Sequence, residues 1–537
     1  MEKSWTVLGN GRDLRKVLTK NRGVRDEEKF FRPHLNKLTP PSKFFPRLDK
    51  AVDRIKRAIE NRELVYIYGD FDVDGLTATA ILWETINFLG GKVLPYIPHR
   101  GKEGYGLNSS AIETIAREGA GLIITVDCGV GGLAEAKLAK KLGVELIVTD
   151  HHEEGKVLPE CLALLHTKKL SGSGIAFILA RELLEAFNKD IEEQLFKNLE
   201  LAAIGTIADL SPLVNDNRII VANGLHNLIN TERAGLQAIY EEAGINKKIT
   251  PYEVGFIIAP RLNATGRMDH AIDSLRILLT RKKERAAQLA KKLTLVNRQR
   301  QDALSVSLEY AKENLKDPGD GIIFASHDSY PAGVIGLVAG KLSEEFYRPA
   351  IVISELGEIC KGSARSISGF DIVKAIGSSE KYLLNMGGHE LAAGFSISKE
   401  KIPYFKEAII EYAEKNLKKK SLSPTLEIDT RLGQSDLNHE TLDLVREFEP
   451  FGSGNREPLF LTEGLKVASV RNVGRDGKHI KAYLYGKEGT VFDSVGFNLA
   501  EKEMEKGNTI DVVYSLNEDS WKGNNKLQLK IKDFRNS

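Results

Sequence analysis

Short apolar runs that each stop at a carboxylate or an imidazole constrain this chain more than any other feature. Residues 65–68, VYIY, are β-branched and aromatic, are bounded by Gly69, and read as a short buried strand. Asp70, Asp72 and Asp74 follow at every second position, Gly75 permits a sharp turn, and 77–89 reads as a helix. Residues 93–97 are a second strand, ending at Pro98-His99-Arg100, before a helix capped by Ser109 or Ser110. Residues 121–126 are a third, ending at Asp127, and 145–148 a fourth, ending at Thr149-Asp150-His151-His152. Helical stretches separate them, so the alternation predicts an α/β unit with a parallel sheet covered on both faces. Ligands of such sheets bind beyond the carboxyl ends of the strands.

A further apolar segment, 201–210, reads as helical and delivers one carboxylate, Asp209. A single Asp after an apolar run is ordinarily a cap or a turn residue. Four such ends on one sheet edge point instead to a shared cation, because like charges this close repel unless a cation lies among them. Carboxylates with imidazoles and no thiolate suit Mn or Mg, and there are enough of them for two ions. Two metals about 4 Å apart activate water and stabilise charge in phosphoester hydrolysis.

A chain of 537 residues with 28% charged residues is too long for one core, so about three or four domains are expected. The net charge of +2 gives no global field that would identify a partner. Cys128, Cys161 and Cys360 are scattered, form no CxxC pair, and fit a reducing cytoplasm. The first residues do not start a signal peptide, and no apolar run suggests a membrane span.

GDFDVDG, VDCG, TDHH and TIADL, in this order, closely resemble the four motifs of the DHH phosphoesterase superfamily. APRLNATGR at 259–267 resembles a segment of RecJ-type single-strand exonucleases. MGGHELAAG at 386–394 resembles the GGH motif of the DHH-associated domain, and EPFGSGNREP at 449–458 the join to the family's oligonucleotide-binding domain. The resemblance implies that Asp72, Asp74, Asp127, His151 and Asp209 are metal ligands, with Asp127 bridging two ions, Mn2+ first and Mg2+ second. It gives Asp70 and His152 supporting catalytic roles beside the metals. Some relatives place a His where this chain has Tyr68.

The stretch 281–316 reads as one long connecting helix with ten Lys/Arg against four acids, either a solvated face or a wall of a nucleic-acid channel. Residues 321–325 and 349–354 restart buried strands. Between them, Gly333, Gly336 and Gly340 lie on neighbouring turns of a helix that can approach a sheet closely. Through the resemblance, Ser363 and Arg365 become substrate-phosphate ligands, and Gly387 and Gly388 expose backbone N–H groups to an anion. His389 then donates to a phosphate oxygen or leaving group. Arg100 and Arg267 are expected to grip DNA phosphates or a terminal 5′-phosphate, with Asn263 positioning one of them. Residues 415–424 read as a basic linker, and period-two alternation then gives five or six strands of a small barrel carrying cations and aromatics.

The expected architecture is an N-terminal arm (1–45) packed on a DHH domain (46–230), then a helical region with the connecting helix (231–318). A smaller α/β DHH-associated domain (319–420) and an OB-fold β-barrel (421–537) follow. The expected activity is metal-dependent 5′-to-3′ hydrolysis of single-stranded DNA to 5′-mononucleotides, in repair and recombination. The alternatives are a DHH phosphodiesterase acting on short oligonucleotides or cyclic dinucleotides, and a non-catalytic DNA-binding scaffold. The scaffold predicts eroded ligands, and all five stand intact. The resemblance adds a single-stranded-DNA-binding protein and a helicase as partners of a cytoplasmic monomer. Because the chain stops soon after the barrel, no further partner-binding domain is expected.

Overall fold

The computed structural model describes residues 3–188, 192–246, 248–315, 321–417, 423–486, 489–519 and 526–537. The expected boundaries at 318/319 and 420/421, Lys316, and the middle of the 415–424 linker lie outside the described residues.

The chain opens with β1 (Ser4–Val7), then builds a five-stranded sheet from β2 (Leu64–Tyr68), β3 (Lys92–Tyr96), β4 (Ala120–Val126), β5 (Glu145–Asp150) and β6 (Ala163–His166). All its pairings are parallel, in the order β3-β2-β4-β5-β6. After β2 the chain steps to one side, and after β3 it crosses to the other. The carboxyl ends of β2 and β4 therefore flank the switch point, where α/β sheets open a crevice. One apolar cluster, with Ile67, Ile124, Leu179 and Leu201 fully buried, fills one face of this sheet, and a second covers the other with Tyr68 and Ile123.

The 32-residue connecting helix Lys283–Asn314 leads to a second sheet. It comprises β7 (Ile323–His327), β8 (Ala350–Ser354), β9 (Ile359–Arg365), β10 (Leu383–His389) and β11 (Ala392–Ser398), ordered β10-β11-β9-β8-β7. The residues around Gly387-Gly388 are not a turn. They are an edge strand, and Gly388 (φ +148°) leaves no room for a Cβ, which would stand 2.3 Å from the Ala392 carbonyl oxygen. The helix between β7 and β8 begins at Ile335, so Gly333 precedes it and packs on the Arg267 carbonyl, which an added Cβ would meet at 2.2 Å.

The last unit contains β12 (Thr425–Ile428), β13 (Thr430–Arg431), β14 (Phe460–Val473), β15 (His479–Tyr485), β16 (Val491–Gly496), β17 (Thr509–Asp519) and β18 (Lys526–Asn536). The order is β13-β14-β15-β16-β18-β17, and β17 returns to pair with β14, closing a five-stranded barrel. Closure leaves these strands no free edge.

The arm does not pack on the first unit alone. Leu38 and Phe45 enter the first unit's core, whereas Leu18 and Phe30 enter the barrel's, and β1 pairs in parallel with β12. Sequence periodicity gives no sign of this division, since both halves show only scattered apolar residues. The buried Arg218 joins all three regions: Nε donates to the Phe30 carbonyl (2.8 Å), Nη1 to Phe448 (3.1 Å) and Nη2 to Glu449 (2.6 Å). Burial pushes its guanidinium down to about 10, and carbonyl oxygens replace the carboxylate such a group usually finds.

Candidate metal centre and substrate cleft

The acidic loop is tighter than its sequence suggests. The helix after β2 starts at Val73, not at 77. Asp72 is its N-cap, and its Oδ1 accepts from the amides of Asp74 (3.0 Å) and Gly75 (3.2 Å). Asp74 is therefore a first-turn residue. Its carboxylate also meets the N-terminus of the helix Gly172–Ala186, accepting from Gly172 N (2.6 Å) and Ser173 N (2.9 Å). Gly75 supplies space rather than a turn, because a Cβ there would lie 2.6 Å from the Asp70 amide nitrogen. The helix after β3 likewise starts on an unexpected cap, Asn108.

Asp127 directly follows β4 in the left-handed region (φ +60°), a conformation open to a short polar side chain such as Asp. Its carboxylate reaches the switch point, where Gly172 leaves room that a Cβ would take, 2.6 Å from the Asp127 Cβ. His151 Nε2 stands 3.0 Å from Asp127 Oδ1 and 3.8 Å from Asp74 Oδ2, and His151 Nδ1 stands 4.0 Å from Asp209 Oδ2. Among the described residues eight buried side-chain atoms have no hydrogen-bond partner, and three of them, Asp70 Oδ1, Asp127 Oδ1 and His151 Nε2, belong to this centre. Buried polar atoms are rarely left so. Lone pairs that approach without the angle of a hydrogen bond are what a cation among them would satisfy.

Three overlapping groups place one ligand atom from each member within 4.8 Å of the others: Asp70, Asp72 and Asp127; Asp74, His151 and Asp209; and Asp127, His151 and His152. The electrostatics agree. Burial first, and neighbouring carboxylates second, raise Asp70 and Asp127 well above the usual range, raise Asp72, and push Asp209 up to about 7. Burial lowers His151. Oxygen and imidazole donors, without thiolates, fit a hard divalent cation.

Asp150 behaves differently. It accepts from Val130 N (2.9 Å), His151 N (2.7 Å), His152 N (3.1 Å) and His152 Nδ1 (2.8 Å). Burial opposes its ionisation, but these bonds outweigh burial and hold its pKa below the usual range. For His152, burial lowers the pKa, and the Asp150 bond with nearby carboxylates more than reverses it. Tyr105, in the segment between β3 and the helix that starts at Ser109, bonds His152 Nδ1 through its hydroxyl (2.9 Å) and donates to the Asp127 carbonyl (3.3 Å). Tyr68 turns to the opposite sheet face, where its hydroxyl donates to the Gly106 carbonyl (2.9 Å).

A cleft of about 620 Å³ lies between the first and second sheets. Phe71, Arg100 and Arg267 line one wall, and Lys361, Ser363 and Asn385 the other. Arg100 lies over the Phe71 ring, 5.3 Å from its centroid, close enough to feel Asp70 and Asp72. Arg267 is pushed down to about 10 by burial and then by Arg100 and Arg300. Arg365 is lowered by burial and by Arg100. A concentration of guanidinium groups therefore adjoins the crowded carboxylates.

Asn263 holds neither arginine; its Oδ1 accepts from Val73 N (3.1 Å) and so anchors the acidic loop. Gly387, Gly388 and His389 share the edge strand with Asn385 but do not line the cleft. His389 is exposed, within electrostatic reach of Glu153. On the connecting helix, Lys292 and Lys312 pair with Asp273 and Glu345, and Arg300 is the member that reaches the cluster around Arg267. Its sequence neighbours gave no sign of that distinction.

Three family models match the chain: the DHH family N-terminal domain at residues 64–206, the DHHA1 domain at 319–415, and the RecJ OB domain at 428–533. The single-stranded-DNA-specific exonuclease RecJ of Haemophilus influenzae is 32% identical over 518 residues, covering 90% of each chain. That of Bacillus subtilis is 38% identical over 502 residues, covering 90% of this chain and 63% of its relative's length. The crystal structure of RecJ in complex with Mn2+ from Thermus thermophilus superposes with a TM-score of 0.88 at 29% identity, covering 99% of this chain and 80% of that one. The Mg2+ complex gives a TM-score of 0.79 at 28% identity. The chain therefore belongs to the RecJ family of the DHH superfamily.

Proposed function

We propose that this chain is a metal-dependent exonuclease that hydrolyses single-stranded DNA from its 5′ end, releases 5′-mononucleotides, and serves DNA repair and recombination. One observation carries the reading: Asp127 Oδ1 and His151 Nε2, converging without hydrogen bonds, lie beside a cleft lined by Arg100 and Arg267, with Arg365 within electrostatic reach of Arg267. A phosphodiester needs both halves, a centre that activates water and cations that hold its oxygens.

Asp72, Asp74, Asp127, His151 and Asp209 are the residues that would hold two divalent ions, Mn2+ first and Mg2+ second. Such ions, when bound, supply a water nucleophile at neutral pH and neutralise charge at phosphorus. Arg100, Arg267 and Arg365 bind the phosphate oxygens, and Ser363 adds a hydroxyl donor. Guanidinium forks match phosphate geometry, and burial strengthens them. His152 keeps a proton on Nδ1 against Asp150, which fixes the ring beside the reacting group. Asp70 completes the acidic shell, and Asn263 keeps its loop in register. His389, at the end of the edge strand, would meet the phosphate from the second sheet if the strand passes that rim.

The barrel supplies a platform for the strand leading into the cleft. Among the described residues, no helix is long and apolar enough to cross a membrane. We extend the reading to a cytoplasmic monomer that works with a single-stranded-DNA-binding protein and a helicase, on the family resemblance.

Digestion of 5′- and 3′-end-labelled single- and double-stranded DNA, with Mn2+ and with EDTA, tests the reading. The expected result is metal-dependent release of mononucleotides from the 5′ end of single strands. Turnover of dinucleotides without attack on long strands would overturn it in favour of a short-substrate phosphodiesterase.

A further inference from the structure

Lys361, Ser396 and Asn385 form a row across three neighbouring strands of the second sheet. The register pairs Lys361 with Ser396, and Ser396 with Asn385. Side chains alternate along a strand, so Lys361, Ser363 and Arg365 share one face of β9. The Lys361 row is thus one step along the sheet from Ser363 and two steps from Arg365, on the same side. All three of its residues line the cleft.

The row is ordered. Ser396 is buried, and its hydroxyl receives a hydrogen bond from Lys361 Nζ at 2.9 Å, which draws the ammonium across the strand boundary. Among the described residues Lys361 makes no ion pair, so its charge is not spent on a carboxylate. The direction is also fixed. The Arg365 row ends at His389, within electrostatic reach of Glu153, which directly follows His151-His152. The Lys361 row lies at the other end, away from the metal centre. Lys361 lies four strand residues from Arg365, about 13 Å along the strand, so a phosphate held there is separate from one held by Arg365.

We propose that Lys361, oriented by Ser396 and accompanied by the Asn385 amide, is a second phosphate subsite of the cleft. It takes a backbone phosphate of the single strand other than the one gripped by Ser363 and Arg365. The proposal rests on the nuclease reading and extends it to a residue outside the recognised motifs. A single 5′-mononucleotide fills only the Arg365 subsite, whereas an oligonucleotide engages both.

The test compares wild type with Lys361→Met and Lys361→Arg on single-stranded oligonucleotides across a salt series. Inhibition by a deoxynucleoside 5′-monophosphate is read alongside. One lost phosphate contact on a single strand reduces the slope of log(kcat/KM) against log[salt] by about 0.7. Lys361→Met is expected to show that reduction, with kcat/KM lower by on the order of tenfold. Its Ki for the mononucleotide is expected to stay within about twofold of wild type, because the Arg365 contacts remain. Lys361→Arg restores the slope. An unchanged slope in Lys361→Met overturns the proposal, as does a Ki that rises in step with the fall in kcat/KM. A thermal melt of each variant separates misfolding from lost binding, and the charge-keeping Lys361→Arg decides the matter if Lys361→Met is unstable. Failure of the nuclease reading looks different: wild type itself leaves single strands intact. Anisotropy of a labelled oligonucleotide bound to wild type and to Lys361→Met then still decides whether the subsite exists.

Discussion

The two sheets that flank the cleft solve opposite electrostatic problems. On the first sheet, carboxylates are buried against one another, with raised pKa values and oxygens left without hydrogen bonds. On the second sheet, Ser363 and Arg365 are only partly buried, and the edge strand β10, beyond β11, is largely exposed. The acidic centre of the first sheet is held by its backbone. Helix caps, a left-handed Asp127 and the close approaches at Gly75 and Gly172 bring the candidate ligands together. The second wall presents donors on an ordinary sheet face and lets the substrate finish the site. Chemistry that places charge on a metal needs preorganisation, and a strand that must slide needs replaceable contacts.

Removing one carboxylate from the rigid wall has the largest expected effect. Asp127→Ala lowers metal-dependent hydrolysis of single strands by on the order of a thousandfold or more. Retained activity in the end-label assay would place the chemistry elsewhere.

On the opposite wall, Arg365→Ala is expected to cost about 10–100-fold in kcat/KM, the range of a charged hydrogen bond. Arg365→Lys should recover only part of that, because a fork is replaced by a point charge. Equal activity of Ala, Lys and wild type would remove Arg365 from the substrate path.

His389→Ala tests the rim. A loss of about tenfold or less is expected, with stability within ~0.5 kcal/mol because the side chain is exposed. A thousandfold loss would move His389 from the rim to the reacting phosphate.

The smallest effect is a pH-dependent melting shift. For Asp209, Asp70, Asp72 and Asp127 the folded-state pKa exceeds the unfolded one, burial being the first cause. Such a group keeps its proton in the fold while the unfolded chain ionises. Metal-free protein is therefore expected to lose stability as pH rises from about 4 toward 7. Mn2+ competes with those protons, so its stabilisation should grow over the same range. Melting curves with EDTA and with Mn2+ at a series of pH values check this, and a Mn2+ shift that falls with rising pH contradicts the carboxylate cluster.

The contrast between the walls also explains what was legible beforehand. Apolar strands ending at Asp70, Asp127 and Asp150 could be read from the chain because a buried parallel strand needs a continuous apolar run and its end is abrupt. The barrel was equally readable from period-two alternation. Asn263 was misplaced because APRLNATGR carries several polar groups, and only packing shows that Oδ1 faces Val73 N. Arg300 was one cation among ten in a helix, and its neighbours decide its role.

Element types and their order follow from the chain alone, because local periodicity is written along it. Packing in three dimensions was needed to separate the carboxylates: Asp150 carries four hydrogen bonds, while Asp127 is left open toward His151. Packing also divided the arm between two cores and set Lys361 in line with Ser396 and Asn385. The physical reason is common to all three. Burial, hydrogen-bond saturation and strand register depend on which distant segments meet, and no single stretch of sequence contains both partners.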